Sequence, residues 1–242
     1  MCYDISFGTK YELITDYLPD IIIDPQIDMS FPNVLHVQAQ DCSPYPIIMY
    51  RDGQYHLTPL TWGVSIGPKF MAWNTMAEKI IGDKKSYWHR IRQFRCLIPL
   101  AGIFEHRSIK GWKKKVPYYV QQKGRSLMGI PALYSPEQNA FSMVTRKANG
   151  DMELIHNDSE RGFRMPLFLP KSLELKWLDP TLMDDQIQEI LDYEIPSEGL
   201  VHHPVATIRT SKPHPTGGLK TDPYDWPKLP PLGQDTNELF LF

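Results

Sequence analysis

Arg95-Cys96-Leu97-Ile98-Pro99-Leu100-Ala101-Gly102-Ile103-Phe104-Glu105 opens on a cation, runs through apolar residues and ends on an acid. Cys96-Leu97-Ile98-Pro99 reads as a strand, since a short unbroken apolar run is what a two-sided buried strand requires. Ala101-Gly102-Ile103-Phe104 carries the apolar character up to Glu105. A carboxylate in such a setting can shuttle protons. It also has a plain structural alternative, an ion pair with Arg95 or Arg107.

Working outward, Pro46-Ile47-Ile48-Met49-Tyr50 and Tyr55-His56-Leu57-Thr58 flank Asp52-Gly53. Asp-Gly between apolar runs predicts a β-hairpin. Segments 117–121 and 126–130 around Lys123-Gly124 predict a second hairpin, and 140–145 a further strand. Apolar residues recur at helical spacing over 11–17, 75–81, 85–94, 172–178 and 183–191. Strands dominate the middle, so the fold class is α+β. After Pro204 the chain is rich in proline and poor in apolar runs until Leu239-Phe240-Leu241-Phe242, which predicts a tail over 204–242 that wraps the body. The expectation is a single domain over 1–242.

With 242 residues, 42% of them hydrophobic, the chain can bury a sizeable core. No apolar run approaches the roughly 20 residues of a membrane-spanning helix, and Met1-Cys2-Tyr3-Asp4 lacks the charged and apolar regions of a signal peptide. A cytoplasmic location is expected. Cys2, Cys42 and Cys96 lack the spacing of a disulfide framework or a zinc site, so no metal or cofactor is expected. The formal charge of −2 hides an asymmetry: residues 82–125 hold twelve Lys/Arg against Asp83 and Glu105 alone. Such a field suits a polyanion, although a solvated surface with acids nearby in space is the competing reading.

Cys2 stands directly behind the initiator methionine. Once Met1 is removed, an α-amine and a thiol share one carbon skeleton. The amine condenses with an aldehyde to an imine, and the thiol closes on the same carbon to a five-membered thiazolidine. Ordinary pKa values of roughly 7.7–8.0 and about 8.5 leave both groups mostly protonated at neutral pH, so partners must move the protons. The competing reading makes Cys2 the start of a strand. His156 can protonate a leaving group near neutral pH, and Asn74 is expected to cap a helix starting at Thr75 or to orient an amine or phosphate.

The order Met1-Cys2, Trp62-Gly63, Asn74-x-x-x-Glu78, Arg95 to Glu105, Pro117-Tyr118, His156, Arg164-Met165-Pro166 and Trp177-Leu178 resembles the SOS response-associated peptidase (SRAP) family, over roughly residues 1–178. The resemblance implies a curved, barrel-like sheet with peripheral helices and a protein that captures abasic sites in single-stranded DNA. By similarity, Cys2 is the nucleophile and attachment point, and Asn74 positions the amine and the sugar. Glu105 transfers protons, and His156 acts on the deoxyribose oxygen. Arg164 holds phosphate, and Arg95, Arg107, Lys113 and Lys114 supply attraction to the strand. A monomer near the nucleoid, removing Met1 by its own activity, is expected. Relatives carry Gly-Arg where this chain has Tyr3-Asp4 and an arginine where it has Met76; His106 replaces a tryptophan, the stretch from Trp62 to Asn74 lacks Pro-x-Trp, and a loop over 157–163 is added. His36 receives no role. Two other functions fit the residues: a cysteine N-terminal-nucleophile peptidase or amidase, and a non-covalent single-stranded nucleic-acid-binding protein.

Overall fold

The computed structural model describes residues 2–7, 12–27, 36–158 and 162–234. In chain order the elements are β1 (Asp4–Ser6), α1 (Glu12–Tyr17), β2 (Ile22–Ile23), β3 (Val37–Gln38), β4 (Pro44–Arg51), β5 (Gln54–Trp62), β6 (Val64–Ser65), β7 (Met71–Ala72), β8 (Asn74–Met76) and α2 (Tyr87–Arg90). Then follow β9 (Arg95–Leu100), β10 (Gly102–Arg107), β11 (Val116–Gln122), β12 (Met128–Ser135), β13 (Ala140–Lys147), α3 (Asp151–Ile155), β14 (Arg164–Pro166), α4 (Lys171–Trp177), α5 (Asp184–Leu191) and β15 (Leu200–Pro204).

Five strands form a ring. They run β13-β12-β9-β4-β5, and β5 returns to β13 through a short parallel pairing of Thr61 with Ala140 and Trp62 with Phe141. This is the expected curved, barrel-like sheet. A second sheet, ordered β15-β11-β10-β1-β3, carries the N-terminus. The opening stretch joins the two, because β9 lies in the ring and β10 in the second sheet, with only Ala101 between them. Its amide donates to Ser6 O at 2.8 Å. A Cβ at Gly102 would lie 2.3 Å from the Tyr119 ring, so only glycine lets the chain cross there.

The Asp52-Gly53 hairpin forms as expected, with φ of 52° and 80° at the two turn residues, the left-handed pair that a two-residue turn requires. The hairpin expected around Lys123-Gly124 does not form. β11 pairs with β10 and β15, whereas β12 pairs with β9 and β13, so this turn passes the chain between sheets. The helix expected over 75–81 is replaced by β8 and a 3-10 turn, Ala77–Lys79. Parallel pairing with Met143 to Thr145 draws residues 74–76 into the sheet, and the buried Thr75 hydroxyl donates to Ser142 Oγ at 2.9 Å. Of 85–94 only Tyr87–Arg90 is helical, capped by Ser86.

The proline-rich segment lies against the second sheet. Tyr224 N donates to Pro204 O and Trp226 Nε1 to Val205 O, each at 2.9 Å. The apolar run 239–242 lies outside the described residues.

Candidate active site

Cys2 is fully buried, and its thiol donates to the Asp4 carbonyl at 3.7 Å. Burial, then the negative charges of Glu105 and Asp4, push the thiol well above its ordinary pKa. The sulfur is therefore held protonated and out of reach in this state. Strand β1 places it beside β10, with Asp4 opposite Phe104 and Ile5 opposite Ile103.

Asn74 reaches the same residue from β8. Its Nδ2 donates to the Cys2 carbonyl at 2.9 Å, while the buried Oδ1 has no hydrogen-bond partner. The preceding residue is pinned, since the Trp73 carbonyl accepts from Trp62 Nε1 at 2.9 Å and from Met143 N at 3.0 Å. The expected helix cap at Asn74 is thus replaced by a hold on the N-terminal backbone.

Glu105 lies inside the second sheet opposite Tyr118 and is almost completely buried, with Oε1 unpartnered. A buried acceptor without a donor costs about 1–3 kcal/mol, and such atoms tend to mark sites where a ligand or reactive group completes the pairing. The ion pairs with Arg95 or Arg107 weighed from sequence are absent among the described residues. His156 ends α3, and its Nδ1 lies 2.5 Å from the Arg164 carbonyl oxygen and 3.1 Å from the Arg164 amide nitrogen. Glu105 and His156 both line a cavity of about 410 Å³, together with Tyr3, His106, Lys115, Asp158 and Arg209. Burial holds the His106 imidazole below its ordinary pKa. Tyr3 also lines a more apolar cavity of about 390 Å³, with Phe70, Trp73, Asn74, Trp88 and Arg164.

The cations expected to meet the strand divide. Arg95 is buried and gives its guanidinium to the carbonyls of Trp177 at 2.8 Å, Asp179 at 2.5 Å and Arg92 at 2.9 Å. Arg107 is fully buried, bonded to Tyr118 Oη at 2.9 Å and to the carbonyls of Pro230 and Pro231 at 3.0 and 2.6 Å. Both expectations are corrected: these arginines hold chain segments together, since carbonyls are their partners and little or no solvent reaches them. Arg164 forks onto Glu78 at 2.7 and 2.9 Å and donates to Thr145 O at 2.7 Å, so a phosphate there must displace a carboxylate. Lys113 and Lys114 are exposed in the β10–β11 connection.

Several groups at this site went unassigned in the sequence. Buried Asp4 accepts from His36 Nε2 at 2.7 Å and from Arg209 Nε and Nη2 at 3.0 and 2.7 Å. Burial alone would raise the Asp4 pKa, but the hydrogen bonds from His36 and Arg209 outweigh it and hold the carboxyl below the usual range. Lys115 pairs with Asp158 at 3.0 Å. The only sequence signal was an acid close behind Cys2; nothing along the chain ties residue 4 to residue 209. Among the described residues no three His, Cys, Asp or Glu gather to hold a metal, and no helix is long and apolar enough to cross a membrane.

A family model described as SOS response associated peptidase (SRAP) matches residues 24–209. A protein from Bacteroides thetaiotaomicron, solved by X-ray crystallography, is 24% identical with a TM-score of 0.72, over 85% of this chain and 92% of its own. A phage-related protein from Bordetella bronchiseptica is 21% identical with a TM-score of 0.65, over 90% of this chain and 100% of its own. Another protein from that organism is 16% identical with a TM-score of 0.66, over 85% and 100%. At these identities the likeness speaks for the fold. No curated protein matches the chain.

Proposed function

The chain belongs to the SOS response-associated peptidase family, and from that premise we propose that it captures abasic sites in single-stranded DNA through a thiazolidine formed by Cys2 after Met1 is removed. The observation that carries this reading is the pair of buried, unpartnered acceptors, Asn74 Oδ1 and Glu105 Oε1, at the residue whose amine appears when Met1 leaves. Each is an acceptor waiting for N–H or S–H.

The ring-opened abasic sugar presents an aldehyde at C1′. The Cys2 amine adds to it, and the carbinolamine loses its hydroxyl as water to leave an imine. The thiol then adds to C1′, its proton passing to the nitrogen as the C–S bond closes the ring. One water is lost overall. Asn74 holds the Cys2 carbonyl by Nδ2 and accepts from the amine by Oδ1. Glu105 takes the amine proton, returns it to the departing hydroxyl, and relays the thiol proton. His156, held through Nδ1 by the Arg164 backbone, serves the sugar ring oxygen during opening. Lys113 and Lys114 supply general attraction to the strand. The protein acts as a single-domain monomer in the cytoplasm, close to the nucleoid, and removes Met1 by its own activity.

The test combines intact mass with a denaturing gel after incubation with single-stranded DNA bearing one abasic site, beside an undamaged strand. A heat-stable adduct on protein lacking Met1, formed only with the abasic strand and lost in Cys2→Ala, is expected. Wild-type adduct yield in Cys2→Ala would refute the mechanism.

A further inference from the structure

Arg209 reaches Asp4 across 205 residues of sequence and gives it two N–H groups, Nε and Nη2. The two partners differ in exposure: Asp4 is 2% exposed, whereas 43% of the Arg209 side chain faces solvent. The acid lies beneath and the cation above it. A guanidinium carries five N–H donors in a planar fork. Nη1 has no hydrogen-bond partner among the described residues, and Arg209 lines the same cavity as Glu105 and His156.

The acid two residues after Cys2 would by itself repel a polyanion from the reactive end of the chain. Here its charge is answered by His36 and Arg209, so it anchors a cation at the cavity. Lys115, the other cation lining that cavity, is paired with Asp158, an acid that lines it too, and both side chains are about half-exposed, where water and salt screen them. Glu105 keeps an anion away from its own part of the cavity. A phosphate therefore belongs beside Arg209.

We propose that Arg209 binds a backbone phosphate flanking the abasic sugar through Nη1, with Asp4 as the residue that positions it. The inference rests on the abasic-site reading for its ligand. It assigns to the C-terminal side of the chain the phosphate contact that neither Met76 nor the Glu78-bound Arg164 is free to make.

The test is binding of a single-stranded oligonucleotide carrying one tetrahydrofuran abasic analogue, which has no aldehyde, across a salt series. Arg209→Gln should weaken binding about fivefold to tenfold and reduce the slope of log K against log salt by about 0.7, the share of one phosphate on a single strand. Arg209→Lys and Asp4→Asn both keep the cation, so both should keep the slope, with melting temperatures recorded for all three. An unchanged slope in Arg209→Gln overturns the proposal. So does a loss of slope in Arg209→Lys equal to that in Arg209→Gln at an unchanged melting temperature, because the charge at 209 would then not be what meets the phosphate. A wild-type protein that forms no adduct with a true abasic strand ends the covalent reading while the Arg209 slope result stands on its own.

Discussion

Asn74 donates its side-chain amide to the backbone carbonyl of Cys2 at 2.9 Å, across 72 residues of sequence. A strand paired in parallel with β13 thus grips the backbone at Cys2. The grip acts on the backbone, so it survives any chemistry at the thiol or the amine. Asn74→Ala should slow adduct formation roughly tenfold to hundredfold, because the amine loses its orientation. Gel time courses at saturating abasic strand measure this, and an unaltered rate would remove Asn74 from the mechanism.

Glu105→Gln keeps the shape of the side chain and removes its charge. Adduct formation should fall by about 10²–10⁴, the usual worth of a positioned acid-base group. The Cys2 thiol should also ionise at lower pH, since the carboxylate is, after burial, the next largest influence holding it protonated. The pH profile of alkylation on Met1-free protein reads that second effect.

Asp4 predicts how stability changes in acid. Its carboxyl is held below the ordinary range in the folded protein, so it contributes stability fully present above the unfolded value of about 3.9. That contribution is lost as pH falls through the lower folded value. Urea unfolding of wild type and Asp4→Asn should differ clearly at neutral pH and converge as pH falls below the lowered folded value. A difference independent of pH would contradict the assignment.

Glu78 sits over Arg164, about half-exposed above a buried guanidinium. Glu78→Gln should cost about 1–2 kcal/mol in urea unfolding, less than a fully buried pair because solvent screens the acid. It should also tighten single-stranded DNA binding, since a phosphate no longer has a carboxylate to displace. Weaker binding would show that Glu78 has another task at the site.

Lys113 and Lys114 are exposed on the loop after β10. Replacing both by alanine should lower the salt slope of single-stranded DNA binding by about 1.4, two phosphates at 0.7 each. No change in slope would make the segment only a solvated face.

The sequence made visible what depends on neighbours along the chain. Asp52-Gly53 had a turn chemistry that needs no tertiary context, and the apolar surroundings of Glu105 announced a buried acid. The spacing of 75–81 misled, because apolar residues recur in the same way in a buried strand followed by a 3-10 turn, and only pairing with β13 decides between them. Arg95 and Arg107 misled because charge on paper says nothing of carbonyls folded over it. The Asp4–Arg209 pair was invisible for the same reason, since its partners lie 205 residues apart and meet only in the fold.

That meeting sets an order of events during synthesis. Asp4 is made 205 residues before Arg209, and Arg107 is made 123 and 124 residues before the carbonyls of Pro230 and Pro231. A chain shorter than 209 residues carries Cys2 without the cation that answers Asp4 beside it. Only translation past Arg209 and Pro231 supplies these contacts, so a chain stopped short of them would hold Cys2 and Arg107 without the partners that fix their surroundings.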